Sequence, residues 1–171
     1  MFRFLKAPCV AFSLCAAGVA TAQDSPAAQA SFLDLKGQPI GTAKVDSTQG
    51  GVLIALEVTG LPASSWVAFH VHESGTCDPA AHYETAGGHF NPSGTEHGFR
   101  STTGPHAGDM PNIWVDAEGR AKAELFNPFV VLTEGETLIR GRALMIHAGA
   151  DDHVTQPSGG AGDRLACAVI E

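Results

Sequence analysis

From Ser74 to Pro111 the chain runs for 38 residues with almost no apolar stretch, yet the segments on either side read as β-strand. Loops of that length are uncommon inside a compact domain and are usually functional or disordered. This one carries His82, His89, His97, His106 and Asp109 among its Gly and Pro residues. Too few apolar side chains are present to hold it by burial. Order there requires another kind of anchor, and metal ligation and a cross-link at Cys77 are the two the residues offer.

The flanks constrain the architecture. Short runs rich in β-branched and aromatic residues, bounded by Gly, Pro and Asp, predict strands at 31–35, 42–47, 52–59 and 66–73 before the loop. After it they predict 112–115, 120–126, 138–147 and 165–170. Gly50-Gly51, Gly60-Leu61-Pro62 and Asp116–Gly119 mark turns. No segment sustains a 3.6-residue apolar period, so helix content is expected to be low. The sum is an all-β sandwich or barrel of about eight strands.

Residues 1–22 read differently. Arg3 and Lys6 precede the apolar run 7–20, and Ala20-Thr21-Ala22 follows with small residues. That order is the pattern of a cleaved secretory signal, and the run is too short to span a bilayer. Residues 23–30 are expected to be a mobile lead-in to one domain over 31–171. Loss of Arg3 and Lys6 takes the formal charge from −8 to −10. An acidic chain without a basic run is a poor nucleic-acid binder. Cleavage also removes Cys9 and Cys15, leaving Cys77 and Cys167. Two cysteines in an exported chain are expected to form one disulfide, two free thiols being disfavoured by an oxidising compartment. Closing a loop of about 90 residues is worth roughly 4–5 kcal/mol in the chain-entropy model.

All eight histidines lie between residues 70 and 153. Neutral imidazole suits zinc and copper. His70 and His72 alternate with Phe69 and Val71, so the two imidazoles leave one face of a strand and can chelate one metal. Taken alone they are equally well two polar residues on a half-exposed strand. His89, His97, His106 and Asp109 make a three-imidazole, one-carboxylate set of the kind a closed tetrahedral zinc requires. His147 ends a strand beside a loop and can join His70 and His72. Asp151 can orient a ligand imidazole from behind. Asp152 reads as part of a solvated turn, and His82 and His153 as surface residues.

Together these strings resemble the copper/zinc superoxide dismutase family, in its bacterial exported form. The resemblance rests on FHVHE at 69–73, GHFNP at 88–92, EHG at 96–98, HAGD at 106–109, MIHAGADD at 145–152 and DRLACAVI at 163–170, in family order. It implies an eight-stranded Greek-key β-barrel in the periplasm, with one copper and one zinc per subunit. His70, His72, His89 and His147 would bind copper. His89, His97, His106 and Asp109 would bind zinc, His89 serving both metals. Asp151 matches the carboxylate that links a ligand of each metal, and Cys77 and Cys167 match the family disulfide. Catalysis would rest on His89 and on Arg164, which matches the arginine guiding anionic superoxide. Members occur as monomers and as dimers, so a homodimer stays open.

Two departures from the family stand out, the first being the 11 residues between Cys77 and His89, a longer stretch than in the cytosolic eukaryotic branch. The segment 148–163 contains no Lys or Arg but holds Asp151, Asp152 and Asp163. Arg164, with Arg100 and Lys122 as the other candidates, must then supply the local positive field. The competing reading is a metal-binding export protein without turnover. A bridging ligand and an anion guide argue against it, because a buffer needs neither.

Overall fold

The computed structural model describes residues 27–171; the expected export signal at 1–22 lies outside the described residues. Among the described residues nine strands are present: β1 Ala27–Asp34, β2 Pro39–Thr48, β3 Gly51–Val58, β4 Ser65–Val67, β5 Phe69–His72, β6 Ile113–Val115, β7 Ala121–Asn127, β8 Ala143–His147 and β9 Arg164–Val169. Two single-turn 3-10 helices, Pro79–Ala81 and Glu84–Ala86, are the helical content of the described residues. No helix among these residues is long and apolar enough to cross a membrane.

Seven strands form one antiparallel sheet in the order β5-β8-β9-β1-β2-β3-β7, and β4 pairs with β6. The chain returns through long connections to lay β9 beside β1 of the β1-β2-β3 meander, which is the Greek-key arrangement. Curled into a half-barrel, the sheet turns one face inward. Alternation supplies that face. On β3 the side chains of Val52, Ile54, Leu56 and Val58 are buried while their neighbours are not. They meet Phe32, Val45, Phe69, Val71, Leu144 and Ile146 in a single apolar core.

Three expectations are corrected. Residues 27–30 are not a lead-in: they are the first half of β1, with Ala28 and Ala30 buried opposite Val45 and Ala43. Alanine has little strand propensity of its own, so pairing with β2 decides the conformation. The run 66–73 is two strands, not one. At Ala68 the backbone leaves the ladder, donating to Gly149 O at 2.8 Å and accepting from His147 N at 3.0 Å. The chain therefore moves from the small sheet to the large one there, and eight expected strands become nine. The strand expected from 138 begins only at Ala143, because Gly141 adopts φ +80° and Arg142 N–H closes a turn on Ile139 O.

The long loop is ordered by docking on the edge strand β5. Val71 N–H donates to Gly108 O, Phe90 N–H to Val71 O and Gly108 N–H to Phe90 O, all at 2.8 Å. His72 faces His89 and His70 faces Asp109 as isolated bridges. The Cys77–Cys167 disulfide ties the loop to β9. Beneath it Tyr83, Ala86, Ala143, Met145 and Cys167 form a second, smaller apolar cluster. The expected cross-link is thus present.

Candidate metal centre

Loop docking places imidazoles from three chain segments against one another. All four residues of β5 are buried, so the half-exposed alternative for His70 and His72 does not hold: the apolar core covers one face and the loop covers the other. His147, at the end of β8, is buried beside them. One ligand atom from each of His70, His72, His89 and His147 falls within 4.8 Å of the others. A second group of the same tightness contains His89, His97, His106 and Asp109. His89 belongs to both.

Hydrogen bonding shows which ring nitrogens are free. His72 Nδ1 donates to Gly87 O at 2.9 Å and His147 Nδ1 donates to Gly162 O at 3.2 Å. In neutral rings each Nε2 is then a lone pair, and the two Nε2 atoms face each other at 3.3 Å. Two lone pairs so close need a cation between them. Protons are disfavoured: burial first, then the neighbouring imidazoles, push His72 down to about 2, and burial brings His147 to about 4. Two nitrogens on one tetrahedral metal, with bonds of about 2.0–2.1 Å, lie about 3.3–3.4 Å apart. His70 Nδ1 and His89 Nε2 are buried with no hydrogen-bond partner and complete the set. His70 is also lowered by burial, to about 3. A borderline metal ion such as copper fits these four nitrogens.

The second group converges on one oxygen. Asp109 Oδ1 lies 2.8 Å from His89 Nδ1, 3.0 Å from His97 Nδ1 and 3.4 Å from His106 Nδ1. Its other oxygen accepts N–H donation from Gly98 at 2.8 Å and His106 at 3.0 Å. His97 Nε2 donates to Asp151 Oδ1 at 3.0 Å, which makes its Nδ1 a lone pair in the neutral ring. Either a second proton or a metal ion must then separate that nitrogen from Asp109. Burial alone would lower His97, but its bonds to Asp109 and Asp151 win and raise it to about 9. Burial would raise Asp109, yet bonds from His106, His89, His97 and Gly98 hold it far below the usual carboxylate range. Three imidazoles and a carboxylate fit zinc.

Asp151 joins the two groups. Oδ2 accepts from His70 Nε2 at 2.9 Å and Oδ1 from His97 Nε2 at 3.0 Å. Asn112 clasps its backbone, accepting from Asp151 N at 2.8 Å and donating to Asp151 O at 2.8 Å. At Gly159 the backbone passes so close that a Cβ would sit 1.8 Å from Asp151 Oδ1 and 2.9 Å from His97 Nε2. His153 is not the surface residue expected. Its N–H donates to Asp151 Oδ1 at 2.6 Å, its ring packs on Phe99, and its side chain is only 17% exposed. Asn112, His153 and Gly159 carry no spacing signal, because each acts on a partner distant in sequence or through its backbone. Only the paired glycines 159–160 hint at a close approach. Asp152 does lie in an exposed turn, bonding Thr155.

Similarity to known proteins agrees with this geometry. The copper/zinc superoxide dismutase family model matches residues 40–170. The chain is 47% identical over 147 residues to "Superoxide dismutase [Cu-Zn] 2" of Aquifex aeolicus, covering 84% of this chain and 85% of that one. It belongs to the copper/zinc superoxide dismutase family. Among solved structures, a superoxide dismutase-like protein from Bacillus subtilis superposes with a TM-score of 0.78 at 34% identity, covering 82% of this chain and 95% of that one. The Cu/Zn superoxide dismutase from Brucella abortus does so with 0.72 at 27% identity, covering 85% and 100%.

In this family member a cavity of about 860 Å³ opens over the imidazoles and is lined by His72, His89, His147 and Arg164. Arg164 Nη1 donates to Tyr83 O at 2.6 Å and Nη2 to Gly87 O at 2.8 Å, which fixes the guanidinium at the wall. These bonds use two of its five N–H donors. Neither Arg100 nor Lys122 lines the cavity: Arg100 bonds Asp152 O and Lys122 pairs with Glu57. Glu84 and Asp163 also lie in the wall, and the Glu84 carboxylate is 3.6 Å from Arg164 Nη2. Exposed His82 lies at the rim.

Proposed function

We propose that this chain is a superoxide dismutase in which His70 Nδ1, His72 Nε2, His89 Nε2 and His147 Nε2 would hold copper. His89, His97 and His106 through Nδ1 and Asp109 through Oδ1 would hold zinc. The observation that carries the reading is the opposed Nε2 pair of His72 and His147, sharing His89 with a second ligand set beneath a cavity that contains Arg164. A non-catalytic metal store has no use for that shared ring or that cation.

When bound, copper would supply the one-electron redox chemistry by which two superoxide ions and two protons give dioxygen and hydrogen peroxide. Arg164 binds the anion through its remaining N–H donors by charge-assisted hydrogen bonds. His89 is built to move a proton at Nε2, since that atom has no protein partner while Nδ1 is held at Asp109. Asp151 keeps His70 and His97 oriented, so that ring motion at His89 is not followed by its neighbours.

The apolar run 7–20, the small residues at 20–22 and the disulfide support export to the periplasm, with a mature chain starting near Gln23. Superoxide decay is measured by pulse radiolysis on chain 23–171 loaded with one copper and one zinc. Fast decay that requires copper and disappears in His147→Ala is expected. Decay no faster than buffer, with both metals verified in place, overturns the reading.

A further inference from the structure

The segment after Asp151 reaches back to the long loop at one more place. Gln156 Oε1 accepts from His97 N at 2.8 Å. Its Nε2 donates to His97 O at 2.9 Å and to Val154 O at 3.1 Å. Both N–H donors and the carbonyl of the amide are therefore in use. The amide can sit only one way round, because the reversed orientation would set N–H against N–H and oxygen against oxygen.

Each role excludes substitutes. Glutamate offers the acceptor but no donor, lysine offers donors but no acceptor, and asparagine is shorter by a methylene. The grip falls on a buried residue whose ring is itself held at both nitrogens, by Asp109 and by Asp151. His97 is thus fixed by three groups, and Gln156 is the one that sets its backbone. The preceding bond of the loop, Thr155 Oγ1 to Asp152 Oδ2 at 2.5 Å, stays within the segment and touches no ligand.

We infer that Gln156 is a positioning residue for zinc: it locks the backbone of His97 so that Nδ1 is presented to the ion, and it makes the segment 148–163 a clamp on the zinc loop. The inference rests on the zinc assignment above. Ligand-orienting partners of this kind change metal affinity by about 10–100-fold when removed.

The test uses the copper- and zinc-loaded protein and reads metal release to a chelator in excess. Gln156→Met keeps the side-chain volume and removes all three bonds. It is expected to speed zinc release about tenfold, to leave copper release within about twofold, and to speed hydrogen exchange at the His97 amide. Thr155→Val loosens the same segment without touching His97, and zinc release within about twofold of the parent is expected. Zinc release unchanged in Gln156→Met overturns the inference, and so does an equal acceleration in Thr155→Val, which would make the effect general loosening. His106→Ala runs in parallel. If that variant keeps zinc as firmly as the parent, the zinc assignment itself has failed, a result distinct from failure of the clamp.

Discussion

The two ligand groups share His89 but are built by different means. Three of the four imidazoles of the copper group stand on strands: His70 and His72 on β5, and His147 at the end of β8. Sheet pairing fixes them, and burial strips them of protons. The zinc group, apart from its docking on β5, is loop. His97, His106 and Asp109 lie in no strand and are placed by one another, by Asp151 and by backbone N–H groups. A scaffold that exists before its metal presents lone pairs and waits. A loop that closes on its own ligands depends on the ion, or on a proton in its place, for part of its order.

Breaking the loop group at its centre should have the largest effect. Asp109→Ala removes the one oxygen on which three imidazoles converge, together with the acceptor for Gly98 and His106 N–H. Zinc affinity is expected to fall by more than about 100-fold, beyond the loss of a supporting partner. Proteolysis or hydrogen exchange should show residues 74–111 opening while β1–β3 stay protected. His147→Ala in the strand group should lose copper with no such opening. Equal loosening in both variants would erase the contrast.

Next in size is the link between the groups. In Gly159→Ala the new methyl would meet the Asp151–His97 hydrogen bond, in a backbone at φ +70° that already disfavours a side chain. Zinc affinity should drop about 10–100-fold, and copper affinity less, since His70 Nε2 uses the other Asp151 oxygen. Competition titrations with chelators measure both. A larger loss of copper than of zinc would mean that Asp151 serves mainly the strand group.

Acid and alkali should separate the groups in metal-free protein. His70, His72 and His147 are lowered to about 3, 2 and 4, below the unfolded value of about 6.5. Below about pH 6.5 the unfolded chain takes up protons that these folded rings refuse, so stability present above that pH is lost as it falls. Asp109 and Asp151, held far below the carboxylate range, add to this loss below about pH 4. His97 has the opposite sign. Raised to about 9, it contributes stability that is full below about 6.5 and is lost as pH rises through 9. Calorimetry on metal-free, disulfide-intact protein should therefore show the midpoint temperature declining on both sides of a neutral plateau. Zinc should remove the alkaline decline and leave the acid one. An alkaline decline untouched by zinc would place its origin outside His97.

The same division explains what could be read from the residues alone. Strand segments such as 52–59 announce themselves through apolar, β-branched runs, and FHVHE carries its ligands at a strand's own period of two. Ligands in the loop were legible as a set of residue types matching a known family, not through any local rule. What stayed hidden acts across the chain. Ala28 and Ala30 are strand because β2 lies opposite, and β4 parts from β5 at Ala68 because Gly149 and His147 take its backbone bonds. His153 and Gln156 work on partners through backbone or amide bonds, with Gln156 and His97 separated by 59 residues. No pattern along the chain reports such pairings, since hydrogen-bond geometry exists only once both segments have docked.

The smallest expected effect lies at the cavity wall, at side chains that belong to neither ligand group. Arg164 is held by two carbonyls, and Glu84 sits beside it with a side chain 74% exposed. If Arg164 guides the anion as proposed, Arg164→Ala should lower kcat/KM roughly tenfold at low ionic strength and leave both metals in place. Loss of copper in that variant would assign it a structural role. Glu84→Gln should act in the opposite direction, because a rim carboxylate offsets the guiding charge and repels superoxide. An increase in kcat/KM of about two- to threefold at low salt is expected, shrinking toward none at about 0.15 M, where the Debye length is about 8 Å. Pulse radiolysis across an ionic-strength series reads both variants. If Glu84→Gln gains nothing at low salt, the acidic wall is electrically silent and the chain's charge acts only at long range.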